Sequence, residues 1–175
     1  MPGADRRARR SVATTADLKE GDEAPPFTLP DDEGRPFNLG DELGKAHLIL
    51  YFYPKDDTPG CRAEAQAFRD ELKLFLGLDA TVIGISTGTV QAKADFKRKY
   101  ALNFKLLADT EKTVSKRYGA LGFLGTPKRM TFVVGKDGKI KRIFNGALPM
   151  AHLDAAKEAL FKLKEEEQRA AAPTT

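Results

Sequence analysis

The sequence predicts a single α/β domain built on a mixed β-sheet with helices on both faces. Three observations carry that prediction. Apolar, β-rich runs alternate with segments of helical periodicity through the middle of the chain. One run, Ala46–Tyr53, is apolar almost without interruption, as a central strand buried on both faces must be. Late in the chain an Asp137-Gly138 pair between two further β-rich runs marks a tight hairpin. With 175 residues, 41% of them hydrophobic, the chain is long enough to bury one sizeable core.

Pro25–Leu29 and Arg35–Leu39, separated by PDDEG, form a small hairpin ahead of the main sheet. The strand at Ala46–Tyr53 (AHLILYFY) follows, bounded by Gly44 and Pro54. Cys61–Leu76 is a helix, because Ala65, Phe68, Leu72, Phe75 and Leu76 fall on one face while Arg62, Arg69, Asp70 and Lys73 point elsewhere. Thr81–Ser86 is a second strand, and Thr89–Tyr100 a second helix with Ala92, Phe96 and Tyr100 at four-residue spacing. A strand at Lys105–Ala108 and a short helix at Glu111–Tyr118 come next. Thr131–Val134 and Ile140–Phe144 make the late hairpin across GKDGK, and Ala151–Glu167 closes the domain with Leu153, Ala156, Leu160 and Leu163 on one side. Strand–helix–strand units need right-handed crossovers and parallel pairing, and the late hairpin adds an antiparallel portion. The order is that of a thioredoxin-like fold with an N-terminal β-hairpin extension, a fold that does not by itself settle an activity.

The domain is expected to span residues 21–167. Residues 1–20 hold Arg6, Arg7, Arg9 and Arg10 but almost no large apolar side chain, and read as a flexible basic arm. Residues 168–175 read as a disordered tail. The formal net charge is +4, and about half of it sits in the arm, so the balance argues against nucleic-acid binding by the folded part. No apolar run approaches the roughly 20 residues of a membrane span, and no apolar segment follows the arginines to make a secretory signal. A cytoplasmic location is expected. With one cysteine, no intramolecular disulfide is possible.

The chemistry is concentrated in Tyr53-Pro-Lys-Asp-Asp-Thr-Pro-Gly-Cys61, a loop leading from the buried strand into a helix. Cys61 falls in the first helical turn, where unpaired N–H groups and the positive end of the helix dipole favour an anion and so suit a nucleophilic thiolate. Thr58 offers a hydroxyl that is both donor and acceptor beside the sulfur, and Pro54 and Pro59 restrict the loop and limit access by water. A lone cysteine also suits a small buried apolar position.

The spacing Pro54-x-x-x-Thr58-x-x-Cys61 matches the motif of the peroxiredoxins, and YPKDDTPGCRAEAQAFRD resembles their subgroup called peroxiredoxin Q or bacterioferritin comigratory protein. GDEAPPFTLPDDEG resembles the opening of that family, DTEKTVSKRYGA its middle helix and KRMTFVVGKDGKI its late hairpin. The resemblance implies that Cys61 is the peroxidatic cysteine, that the Thr58 hydroxyl binds peroxide, that Pro54 shields the reacting centre and that Arg129 is the active-site arginine. Glu64 resembles the acidic residue on the cysteine helix and would orient Arg129. By position alone Arg129 reads as a solvated charge beside Lys128, and Glu64 equally as a solvent-facing helical residue.

Many members of this subgroup carry a resolving cysteine five residues after the peroxidatic one, where this chain has Gln66. The resemblance therefore implies a one-cysteine peroxidase that reduces hydrogen peroxide and alkyl hydroperoxides and is itself reduced by an external thiol such as thioredoxin, glutaredoxin or glutathione. A monomer or weak homodimer without a membrane partner is expected, and the reaction so implied needs no metal or organic cofactor. His47 and His152 lack neighbours at ligand spacing and read as structural. Leu121, Phe123 and Leu124, in a glycine-rich loop before Arg129, line an approach for organic hydroperoxides, a partner surface or simply the core. Two other functions remain open on the residues: disulfide exchange through Cys61, with Thr126-Pro127 ahead of a strand, and nucleic-acid contact through the RRARR arm.

Overall fold

The computed structural model of the chain describes residues 18–172, so the RRARR cluster and the last three residues lie outside the described part. A two-stranded antiparallel hairpin, β1 (Thr28–Pro30) and β2 (Pro36–Asn38), precedes the main sheet. The sheet has five strands in the order β5-β4-β3-β6-β7: β3 (His47–Phe52), β4 (Ala80–Ser86), β5 (Lys105–Ala108), β6 (Met130–Val134) and β7 (Ile140–Asn145). Strands β3, β4 and β5 run parallel, while β6 is antiparallel to both β3 and β7.

All six residues of β3 are buried. Their alternation sorts the core into two layers, since successive side chains of a strand point to opposite faces. Ile49, Tyr51 and Tyr53 pack with helices α2 (Pro59–Asp70), α3 (Leu72–Gly77), α4 (Val90–Lys99) and α6 (Pro149–Ala171) through Phe68, Phe75, Phe96 and Leu160. Leu48, Leu50 and Phe52 face the other way, against Phe27, Phe37, Leu39 of the one-turn helix α1 (Leu39–Glu42) and Val114 of α5 (Thr113–Arg117).

Several boundaries differ from the sequence expectation. The predicted helix over residues 61–76 is two helices broken at Glu71, whose φ of −101° and ψ of 9° lie off the helical values. Both halves bury apolar residues in the same core layer, so the periodicity runs through the break and conceals it. Helix α1 was not foreseen; Asn38, expected as part of a strand, caps it by accepting from the Gly40 N–H at 2.8 Å. Helix α6 begins at Pro149, a favoured first helical residue, and continues to Ala171. Residues 168–171, expected in the disordered tail, are therefore helical; Gln, Arg and Ala are good helix formers and nothing there breaks the ladder. At the other end Leu18 already packs on the core and Glu20 accepts from the Ile143 N–H at 3.2 Å, so residues 18–20 belong to the fold, not to the arm. Among the described residues no helix is long and apolar enough to cross a membrane.

Candidate active site

The loop after β3 turns sharply before α2 begins. Asp57 holds a φ of 60°, a left-handed value that Asp tolerates because its carboxylate can be bonded locally. Here that carboxylate accepts from Lys99 Nζ at 2.7 Å and from the Tyr100 hydroxyl. Thr58 then takes the N-cap position and Pro59 the first helical one. The first helical hydrogen bond runs from the Arg62 N–H to the Thr58 carbonyl at 2.8 Å. The N–H groups of Gly60 and Cys61 consequently have no acceptor within the helix, and they point toward the space in front of it.

Cys61 is the third residue of α2 and is only 1% exposed. Its sulfur is met from β6. Arg129, one residue ahead of that strand, places Nη2 3.5 Å from Cys61 Sγ and Nη1 2.8 Å from Glu64 Oε1. The planar guanidinium fork thus spans two positions one helical turn apart on α2, a geometry a lysine cannot reproduce. Gly60 makes room for it: a Cβ there would lie 3.1 Å from Arg129 Nη2.

Arg129 is not a solvated charge, and Glu64 does not face solvent; their side chains are 12% and 0% exposed. Burial pushes the Glu64 carboxyl up to about 7, against the pull of the Arg129 charge and its hydrogen bond. Burial also works against the Arg129 charge, but Glu64 and Cys61 outweigh it and hold the guanidinium pKa above its ordinary value. Glu64 Oε2 and the hydroxyl of Tyr51, both fully buried, make no hydrogen bond to any of the described residues. Burial, followed by the nearby Glu64 and Cys61, drives the Tyr51 pKa well up.

The Thr58 hydroxyl donates to the Lys55 carbonyl at 3.3 Å and is not bonded to the sulfur. Pro54 is half-buried at the start of the loop and Pro59 is exposed. The structure therefore brings Cys61, Arg129 and Glu64 into direct contact and sets Thr58 and Pro54 on the same short loop. Of the apolar residues in the loop before Arg129, Phe123 and Leu124 are exposed and Leu121 is half-buried, so the first two are not core.

Two buried polar groups lie near the site: His152, expected to be structural, and Lys93, for which no role was expected. His152 lies behind Arg129, with Nε2–H donating to the Gly146 carbonyl at 2.7 Å and Nδ1 2.8 Å from the Thr131 hydroxyl. The carbonyl can only accept, so Nε2 carries a proton, and burial, which lowers the His152 pKa, favours the neutral ring with Nδ1 accepting from Thr131. The Gly146 N–H reaches back to the Arg129 carbonyl at 3.4 Å. Lys93 of α4 is buried against Asp56 of the loop. A signal for Lys93 was available in the helical pattern, since residue 93 stands three before Phe96 and seven before Tyr100 and so shares their face.

The AhpC/TSA family model matches residues 20–143. The chain is 41% identical over 158 residues to a chloroplastic peroxiredoxin Q of Sedum lineare, covering 89% of this chain and 84% of that one. It is 42% identical over 135 residues to a putative peroxiredoxin bcp of Coxiella burnetii, covering 73% and 88% respectively. Among solved structures, the peroxidoxin BcpB of Mycobacterium tuberculosis superposes with a TM-score of 0.79 at 37% identity, over 83% of this chain and 98% of that one. The bacterioferritin comigratory protein of Xanthomonas campestris, whose structures bear on its alkyl peroxide reduction activity, gives 0.73 at 26% identity, over 86% and 94%. The family match over residues 20–143 and the identity with these relatives place the chain in the AhpC/TSA family, among the thiol-dependent peroxidases of the peroxiredoxin Q kind.

Proposed function

We propose that Cys61 is the peroxidatic residue of a one-cysteine peroxidase, with Arg129, Thr58 and Pro54 forming the rest of its site. The observation that carries this reading is the guanidinium fork bridging Cys61 Sγ and Glu64. Arg129 sets a fixed positive charge 3.5 Å from the sulfur, whose thiolate form is the competent nucleophile. The thiolate attacks one peroxide oxygen in line with the O–O bond. An S–O bond forms, the O–O bond breaks with its electron pair, and the departing oxygen leaves as water or an alcohol after taking a proton. Sulfur is oxidised to sulfenic acid and the peroxide is reduced.

Arg129 and the free N–H groups of Gly60 and Cys61 are fixed donors aimed at the oxygens on which charge grows, where such donors act most strongly. The Thr58 hydroxyl donates to the Lys55 carbonyl and so keeps its lone pairs to accept the peroxide O–H. Pro54 and Pro59 stiffen the loop, and Pro54 screens the sulfur from water. Glu64, bonded to Nη1, fixes the plane of the fork and acts through Arg129.

Because the chain has one cysteine, the return half of the cycle uses two thiol equivalents from outside it. The first condenses with the sulfenic acid to give a mixed disulfide and water, and the second releases Cys61. Thioredoxin, glutaredoxin with glutathione, and glutathione alone are the candidate reductants, and both hydrogen peroxide and alkyl hydroperoxides the substrates. A monomer or weak homodimer in the cytoplasm belongs to the same reading; the compartment rests on likeness to the bacterial relative, since the plant relatives are chloroplastic. The test is peroxide consumption by the full chain with each reductant in turn. Turnover that needs a thiol and disappears in Cys61→Ser is expected. Turnover that survives Cys61→Ser, or none with any thiol, contradicts the proposal.

A further inference from the structure

A second buried ion pair ties helix α4 to the loop that carries Thr58 and leads into Cys61. The Lys93 side chain is 0% exposed, and its ammonium donates to Asp56 Oδ1 at 3.2 Å, Asp56 Oδ2 at 3.1 Å and Ser86 Oγ at 3.1 Å. Three N–H donors thus meet three acceptors, with the Tyr53 ring face 5.1 Å away. The Tyr53 hydroxyl, at the far end of β3, donates to the same Asp56 carboxylate at 2.6 Å. Residue 88 must be glycine for this carboxylate to fit, since a Cβ there would lie 2.6 Å from Asp56 Oδ2.

The neighbouring Asp57, in its left-handed conformation, is held by Lys99 and Tyr100 from the last turn and C-cap of the same helix. Helix α4 therefore grips two consecutive loop residues, one from inside the protein and one at its surface, immediately before the Thr58 cap. Burying an ion pair is a poor way to gain stability, because desolvation offsets most of the attraction and apolar residues of the same size would do as well. What the pair does supply is direction: it fixes where the loop ends and α2 begins.

We propose that Asp56 and Lys93 are positioning residues for the peroxidase reaction, a clamp that holds the Thr58–Cys61 turn in register with Arg129. The inference rests on Cys61 being the peroxidatic thiol. A small peroxide needs only the aligned turn. An external thiol must instead reach a sulfur that is 1% exposed, and the turn has to move to admit it. The clamp therefore speeds oxidation of Cys61 and slows reduction of its sulfenic acid.

The experiment compares the full wild-type chain with Asp56→Asn and Lys93→Met. Three readouts are used: amide hydrogen exchange in the reduced protein, stopped-flow oxidation by hydrogen peroxide, and reduction of the sulfenic acid by dithiothreitol. Exchange at Arg62, whose N–H is bonded to the Thr58 carbonyl at 2.8 Å, is expected to quicken by about tenfold while β3 and β6 keep their protection, as for a local opening. The oxidation rate constant is expected to fall by roughly ten- to a hundredfold, the scale of a 1 Å misplacement at a reacting centre. Reduction by dithiothreitol is expected to become several-fold faster, on the order of the gain in opening. A loss of general stability would lower the protection of β3 and β6 as well, which loss of the clamp alone leaves unchanged. Unchanged exchange at Arg62, or oxidation and reduction slowed together, overturns the clamp. Should Lys93→Met fail to fold, Asp56→Asn decides alone. A wild-type thiol that reacts no faster than free cysteine overturns the peroxidase reading instead, and the exchange data still decide whether the clamp exists.

Discussion

Replacing Glu64 by Gln separates the cost of burying its charge from its service to Arg129. Glutamine keeps an oxygen for the Nη1 donor now 2.8 Å from Oε1, so the fork stays in place, but it never ionises. In the wild-type chain burial raises the Glu64 pKa from 4.5 to about 7. A raised carboxyl pKa means that the folded state holds the proton longer than the unfolded state does. Its contribution to stability is therefore complete below pH 4.5 and is lost as pH rises toward 7, with little further change above. Integrated from pH 5 to pH 8, a shift of this size removes about 2–3 kcal/mol from the wild type, at about 1.4 kcal/mol for each unit. Other titrating groups are common to the two proteins and cancel in the difference. Urea unfolding at several pH values is the assay. Glu64→Gln should gain on the wild type steadily between pH 5 and pH 7 and hold its lead at pH 8. Parallel stability curves for the two proteins would refute the reasoning, because they would mean that Glu64 ionises as easily folded as unfolded.

Removing the fork with Arg129→Met should lower the rate constant for Cys61 oxidation by roughly a hundred- to a thousandfold, the usual cost of losing one donor to developing charge, measured by stopped flow. Gly60→Ala places a methyl 3.1 Å from the present position of Arg129 Nη2. It should slow peroxide reduction while leaving stability unchanged or raised by up to about 1 kcal/mol, since alanine is the better helix former; an unaltered rate would mean that the guanidinium yields without consequence. Burial lowers the His152 pKa. That ring contributes stability above its ordinary value of 6.5 that is lost as pH falls through the folded value, so His152→Gln should unfold with a weaker loss on acidification from pH 7 to pH 5.

Much of the fold was legible because the sheet is buried on both faces and leaves its mark as apolar runs. Lys105–Ala108 has the predicted bounds, and β3 differs from its run by one residue at each end. The break at Glu71 and the helix α1 were not legible: the first keeps a single apolar stripe across two helices, and the second is one turn whose cap residue also ends a strand. The same limit applies to the site. Cys61 could be located from its loop and helix start, but what decides the character of Glu64 and Arg129 is a contact between residues 65 positions apart, which periodicity does not encode. Lys93 shares the buried face of its helix, but Asp56 looks like an ordinary surface charge in a loop, and only the close approach of α4 to the end of β3 pairs the two. The Thr58 hydroxyl shows the reverse, since its nearness in sequence to Cys61 suggested a contact with the sulfur that the loop's own carbonyl takes instead.

Single-turnover reaction of the fully reduced chain with hydrogen peroxide, followed by stopped flow and by mass spectrometry of the product, bears most directly on the peroxidase site. One thiol should be lost per peroxide, at a rate far above that of free cysteine, with a single oxygen added at Cys61 and with the rate collapsing in Arg129→Met. Oxidation of Cys61 no faster than a free thiol, or equally fast without Arg129, would contradict the account.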